Sequence, residues 1–195
     1  MPPPPLHSDV RTDHLPYVAS LAARQLGQID LVVIHCTELP DLAMAREFGE
    51  CVRYADSGTG NSGHYYVDRD GSIVEYVDPG HVAHHTRGYN PRSIGIELVN
   101  TGRYPNWLNS RHQSMHEAYT DSQIEALTHL LRELCTRVPS LHLIAGHEDL
   151  DLDDVEASDD PHVKVRRKRD PGPLFPWQRV LAEVPLQRLS AVQHL

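Results

Sequence analysis

The sequence predicts an α/β chain with a mixed central β-sheet and flanking helices, on three observations. Short β-branched apolar runs at residues 31–34, 94–99 and 141–145 have the length and composition of strands. Two segments, starting at Leu42 and Thr120, repeat apolar residues every three or four positions, the spacing of one helix face. An Asp-Gly turn between two further runs inserts a hairpin, giving the order strand, helix, hairpin, strand, helix, strand.

The 195 residues, 39% of them hydrophobic, suit one compact domain with a sizeable core. Residues 1–28, which open on four prolines, read as a peripheral N-terminal arm, and residues 29–195 as the single domain. Leu31-Val32-Val33-Ile34 leads straight into His35, so a polar side chain stands at the end of a buried strand, where α/β folds place chemistry. Leu42, Ala45, Phe48, Val52 and Ala55 predict an amphipathic helix over 42–55, followed by a loop over 57–63. Residues 64–67 and 72–77 flank Asp68-Arg69-Asp70-Gly71, whose Asp-Gly pair supplies the positive φ of a tight hairpin turn.

In the next strand Ile94, Ile96 and Leu98 share one face, which puts Gly95, Glu97 and Val99 on the other. A carboxylate is thus held on a strand, facing away from the main apolar layer. Thr120-Asp121-Ser122-Gln123 matches a capping box, and Ile124, Leu127, Leu130, Leu131, Leu134, Cys135 and Val138 form one stripe that Pro139 ends. The apolar run 141–145 stops at Gly146-His147, and a short final helix is expected over 177–184.

A formal charge of −9 argues against a nucleic-acid partner, whose phosphates call for a basic surface. No stretch approaches the ~20 apolar residues of a membrane span. The start has neither a basic nor an apolar leader region, so the expected location is the cytoplasm, or the periplasm or exterior if a leader has been trimmed from a longer precursor. Cys36, Cys51 and Cys135 are odd in number and lack C-x-x-C spacing, which reads as reduced thiols rather than a disulfide framework.

His35 and His147, two of 14 histidines, each end an apolar strand. If those strands are neighbours, the two imidazoles meet in one cleft. Zinc is the usual ion for such a pair, and a catalytic site needs three protein ligands plus an open position. Asp170, in the stiff turn Asp170-Pro171-Gly172-Pro173, is the candidate for the third. On position alone, however, a strand-end histidine is more often a structural residue, and Asp-Pro-Gly is ordinarily just a turn.

The segments Val33-Ile34-His35-Cys36-Thr37, residues 63–71, Val82-Ala83-His84-His85, Ser93-Ile94-Gly95-Ile96-Glu97, Ala145-Gly146-His147-Glu148-Asp149 and residues 167–173 resemble the motifs of the zinc-dependent N-acetylmuramoyl-L-alanine amidases. That family includes AmpD-type and phage lysozyme amidases and is related to the animal peptidoglycan recognition proteins. The six motifs occur in family order between residue 31 and about residue 180. The resemblance implies the amidase and peptidoglycan-recognition fold, with Zn2+ on His35, His147 and Asp170. It also implies hydrolysis of the amide bond between N-acetylmuramic or anhydro-muramic acid and L-alanine, in peptidoglycan or muropeptides. Glu97 is then the general base. A non-catalytic peptidoglycan-binding module of the same fold is the alternative, disfavoured because all three ligand candidates are present.

Lys168 lies two residues before Asp170, so an extended segment points both side chains the same way, and its ammonium is placed to stabilise an oxyanion. His84 and His85 stand where the family often has an aromatic-His pair and are expected to wall the substrate cleft, with His85 contacting the muropeptide. Trp107 and Tyr104 are expected to stack on a sugar or cap the cleft, Arg167 to pair with a substrate carboxylate, and His64 to be structural. Gly63 occupies the place of the phage amidases' catalytic tyrosine, which brings the chain closer to the AmpD type; Tyr65 is only its neighbour. The 22 residues between His147 and Asp170 exceed the family's shortest form and carry Asp149, Asp151, Asp153, Asp154, Glu156, Asp159 and Asp160. They break a calcium-loop pattern at Asp154 and Asp160 and read as a solvated acidic loop flanking the cleft.

Overall fold

The computed structural model describes residues 10–189. Its centre is β2 (Leu31–Cys36), buried at every residue. That fits a strand with both faces covered, which must be apolar throughout rather than alternate. On one side of β2 lies β7 (Ser93–Leu98) and on the other β8 (Leu143–Gly146), both parallel to it. The sheet has seven strands in the order β1-β6-β5-β7-β2-β8-β11, where β1 is Val10–Thr12, β5 Tyr65–Val67, β6 Ile73–Glu75 and β11 Gln187–Arg188. Only the β5–β6 pair is antiparallel, so the sheet is mixed, as expected. Its turn closes with Gly71 at φ +88° donating to the Asp68 carbonyl at 2.9 Å.

The two-residue period sorts the sheet's faces. Val32, Ile34, Ile94, Ile96, Leu98 and Ile144 pack against α2 (Asp121–Arg137) and α4 (Trp177–Glu183) through Ile124, Leu127, Leu131 and Val180. The Thr120–Gln123 capping box starts α2 as its sequence predicts. On the other face, Tyr66, Val74 and Tyr76 pack with Ala45 of α1 (Leu42–Glu50), while Leu31, Val33 and Ala145 form a smaller cluster. His35 and Glu97 belong to this second face.

Three expectations change. The helix over 42–55 stops at Glu50, and Val52–Tyr54 becomes β3, paired with β4 (Thr59–Gly60) in a separate ribbon. Gly49 is a weak helix former, and its carbonyl accepts from the Tyr17 hydroxyl at 2.7 Å, a tertiary partner the local period does not reveal. Val52, which fitted the helical spacing, is 57% exposed.

The segment read as a peripheral arm is, from Val10 on, part of the fold. β1 forms a sheet edge, and Leu15, Tyr17, Val18 and Leu21 are buried beside Tyr66 and Tyr76. These residues lie in short turns that carry no helix or strand period. The proline run itself falls outside the described residues.

The acidic stretch after His147 is partly tied down by pairing, while Asp153, Asp154, Glu156 and Asp159 stay exposed to solvent as expected. It runs through α3 (His147–Leu150) and a hairpin of β9 (Asp154–Glu156) with β10 (Lys164–Arg166). Asp149 accepts from the Gly146 amide and pairs with Arg188, Asp151 is buried, and Asp159 accepts from Ser110. The three cysteines carry no disulfide. Among the described residues no helix is long and apolar enough to cross a membrane.

Candidate metal centre

Register alone brings most of the centre together. His35 on β2 is the direct partner of Glu97 on β7, and Glu97 is in turn the partner of Tyr66 on β5, so the three side chains share one face. β8 ends at Gly146, opposite Ile34, and the next residue, His147, turns back into the same space at the start of α3. Gly63 borders this row: a Cβ there would lie 2.8 Å from Glu97 Cγ, so glycine is what lets the carboxylate occupy its position.

Asp170 closes the group from a loop. Its Oδ2 lies 2.8 Å from His35 Nδ1 and 3.1 Å from His147 Nδ1, with all three side chains no more than 4% exposed. The candidate donor atoms of these residues lie within 4.8 Å of one another. The other carboxylate oxygen, Oδ1, is buried without a hydrogen-bond partner. A buried acceptor left unsatisfied is costly, whereas a cation would satisfy it. Two imidazole nitrogens and one carboxylate turned inward form a donor set that fits zinc with a coordination position to spare.

The electrostatics agree with ligation. Burial pushes His35 down to about 4 against the pull of Asp170, so its ring is neutral near pH 7 and offers a lone pair. Burial alone would raise the Asp170 carboxyl, but the His147 and His35 contacts outweigh it and hold it well below the usual range. Glu97, 15% exposed with Oε1 4.0 Å from His35 Nδ1, is pushed up to about 8, first by burial and then by the Asp170 charge, while Lys168 pulls it down.

These residues open onto a cleft of about 670 Å³, the size of a small-ligand site. Lys168, Arg167, His84, His85 and Trp107 all line it. His84 stacks edge-on against Tyr54 at 4.7 Å. Trp107 donates its indole N–H to the Glu38 carbonyl at 2.9 Å and packs against Phe48 and Tyr104, which fixes its ring as a wall. His64 is structural: Nδ1 accepts from the Gly95 amide, and Nε2 faces Arg24 and the His81 carbonyl.

Two residues sit differently from their expected roles. The Arg167 guanidinium is already ion-paired with Asp151, inside the chain. His85 has both ring nitrogens engaged, Nδ1 at 3.0 Å from His35 Nε2 and Nε2 at 3.2 Å from Ser93 Oγ, which leaves neither for a muropeptide.

Three features of the centre escaped the sequence. Asp151 Oδ2 lies 3.9 Å from His147 Nε2; their i,i+4 spacing was the one available signal. The Tyr66 hydroxyl, on the same face as Glu97, contacts Ser62 Oγ at 3.1 Å and the Gly63 amide at 3.3 Å. Buried Glu38, at φ +50°, accepts a bidentate pair of bonds from Arg103 at 2.7 and 2.9 Å. Arg103 also donates to the Arg166 carbonyl at 2.9 Å, bracing the strand that leads to Lys168 and Asp170. Contacts across 65 residues leave no local trace.

A family model described as N-acetylmuramoyl-L-alanine amidase matches residues 25–173. The chain is 33% identical over 132 residues to the 1,6-anhydro-N-acetylmuramyl-L-alanine amidase AmpD of Citrobacter freundii, covering 63% of this chain and 57% of that protein. To the AmpD of Enterobacter cloacae it is 32% identical over 122 residues, 58% of this chain and 51% of that one. The matched region thus spans just over half the length of these relatives. Among solved structures, a selenomethionine AmpD derivative superposes with a TM-score of 0.65 at 26% identity, over 92% of this chain and 96% of that one. AmiD from E. coli, solved with the substrate anhydro-N-acetylmuramic acid-L-Ala-D-gamma-Glu-L-Lys, gives 0.59 at 25% identity over 83% and 60%. A phage endolysin of Thermus scotoductus, at 18% identity and a TM-score of 0.59 over 91% and 99%, shares the fold.

Proposed function

The chain belongs to the N-acetylmuramoyl-L-alanine amidase family, and from that premise we propose that it is a zinc amidase acting on soluble anhydro-muropeptides, cleaving between the muramic acid lactyl group and L-alanine. The observation that carries this reading is one buried carboxylate oxygen, Asp170 Oδ2, facing two inward imidazole Nδ1 atoms beside Glu97. The names of the AmpD relatives and the anhydro-muropeptide in the AmiD complex support the substrate class. The cytoplasm, where such recycled fragments are soluble, is the proposed location.

Zinc, held by His35, His147 and Asp170, would supply Lewis acidity toward the scissile carbonyl and a water. Glu97 takes a proton from the attacking water and returns it to the leaving amide nitrogen, a role that suits a carboxyl whose proton affinity is raised toward neutrality. A divalent charge nearby draws that affinity down into the working range. The Lys168 ammonium, whose charge already reaches Glu97 and Asp170, stabilises the negative charge that develops on the carbonyl oxygen. Trp107 and His84 wall the cleft and orient the muropeptide.

The test is to incubate the protein with free anhydro-muropeptide and with sacculi, with and without a chelator, and to identify products by mass spectrometry. Release of intact stem peptide from the free muropeptide, abolished by chelation and restored by zinc, is the expected result. Binding without cleavage would favour a recognition module, and turnover of sacculi alone would move the substrate to the intact wall.

A further inference from the structure

We propose that His85 is a positioning residue which, through Ser93, fixes the tautomer of His35 so that its Nδ1 lone pair faces the metal position. The proposal rests on the reading that zinc sits between His35, His147 and Asp170.

Ser93 Oγ donates to the Tyr89 carbonyl at 2.8 Å, and a carbonyl can only accept. The one hydroxyl proton is therefore committed, and Ser93 Oγ meets His85 Nε2, at 3.2 Å, as an acceptor. His85 thus carries its proton on Nε2 and presents a bare Nδ1 to His35 Nε2 at 3.0 Å. His35 must donate from Nε2, and a neutral imidazole has one N–H, so Nδ1 is left unprotonated. Thr86 Oγ1, at 3.3 Å from His35 Nε2 and 3.0 Å from His85 Nδ1, accepts from the first and shares the single Nδ1 lone pair with it in a three-centre bond, which is compatible with the same assignment.

The relay has a competitor to overcome. A proton on His35 Nδ1 would gain a charge-assisted bond to Asp170 Oδ2 at 2.8 Å, and that tautomer cannot ligate a metal through Nδ1. Adopting it would set two lone pairs face to face at His85, or force His85 and Ser93 to give up their present bonds. The His85 ring cannot step aside easily. It lies against the β7 backbone where a Cβ on Gly95 would come within 2.6 Å of His85 Cγ, and Asn90 Oδ1 accepts from the His85 and Thr86 amides at 3.0 and 2.7 Å. Partners of this kind behind a metal-ligating histidine set its orientation and basicity.

The decisive measurement is long-range 15N–1H NMR of the imidazoles in the zinc-loaded protein. Expected are a protonated Nε2 and a metal-shifted Nδ1 on His35, with a protonated Nε2 and a bare Nδ1 on His85. A protonated Nδ1 on His85 overturns the proposal, and no variant is needed to see it. Competition for zinc against a chromophoric chelator gives the energetic test. His85→Ala should weaken zinc binding about 10- to 100-fold, and Ser93→Ala about 10-fold. His85→Asn, whose Oδ1 replaces the acceptor, should recover part of the loss. Unchanged affinity in both alanine variants overturns the relay while leaving the amidase reading intact. If the unsubstituted protein takes up no zinc, both readings fall.

Discussion

The two halves of the centre are held by different means. His35 and Glu97 stand on neighbouring parallel strands, and His147 follows directly on a third, so backbone register places them and burial on both faces keeps them there. Lys168 and Asp170 arrive on a segment between β10 and α4, held at the site by hydrogen bonds: Arg166 donates to the Glu148 and Asp151 carbonyls at 3.0 and 2.8 Å, the Glu148 amide to the Asp170 carbonyl at 2.9 Å, the Tyr119 hydroxyl to the Pro171 carbonyl at 2.7 Å, and Arg103 to the Arg166 carbonyl. One half is as rigid as the sheet, while the other depends on a handful of charged contacts. Damage to the contacts of the second half should therefore loosen the metal without unfolding the sheet.

The sharpest way to break the loop-borne half is at its end. Asp170→Ala removes one of three proposed ligands and should abolish both stoichiometric zinc uptake and hydrolysis, read by metal analysis and product release; retained turnover would show that Asp170 is no ligand. On the strand-borne half, Glu97→Gln should keep zinc and lower kcat by about 10²- to 10⁴-fold, the usual worth of a general base. Loss of zinc in that variant would instead make Glu97 part of the metal site.

Arg103→Met tests the brace. It leaves the Glu38 carboxylate buried and unpaired, which should cost about 3–5 kcal/mol of stability in chemical denaturation. A cost near zero would mean that the Arg103 contacts to the following strand are dispensable. Milder still, Asp151→Asn frees Arg167 and weakens the partner behind His147, and zinc affinity should fall about 10-fold or somewhat more.

A separate test is the pH dependence of the chelator-treated protein. Glu97 rises from 4.5 to about 8 on folding, so between those values the folded state binds more protons than the unfolded one. Its contribution to stability is complete below about pH 4.5 and is lost as the pH rises toward 8. Glu97→Gln should flatten that decline in melts taken across the window; an unchanged slope would place the titration elsewhere.

The sequence made the strand-borne half legible. Alternation assigned Glu97 to the face opposite Ile94, Ile96 and Leu98, and apolar runs ending in His35 and His147 marked strand ends, because burial imposes its period directly on residue type. Asp170 and Lys168 were found through their neighbours in the chain and through a family resemblance, and nothing in their period required them to reach the cleft. The helix over 42–55 was overextended because Val52 and Ala55 matched its spacing, while the Tyr17 bond that helps end the helix comes from a segment with no period of its own.

What the chain determines by itself is therefore the set of strands and helices, the faces they bury and the side chains that stand at strand ends, since each follows from local spacing and the cost of exposing apolar surface. Tertiary structure alone decided that Asp149 and Asp151 of the acidic stretch pair with arginines, that Leu15, Tyr17, Val18 and Leu21 join the core, and that His85 backs His35 rather than facing the cleft with a free nitrogen. Those outcomes depend on distances between groups 16 to 63 residues apart, fixed by packing and hydrogen-bond direction, which no local pattern records.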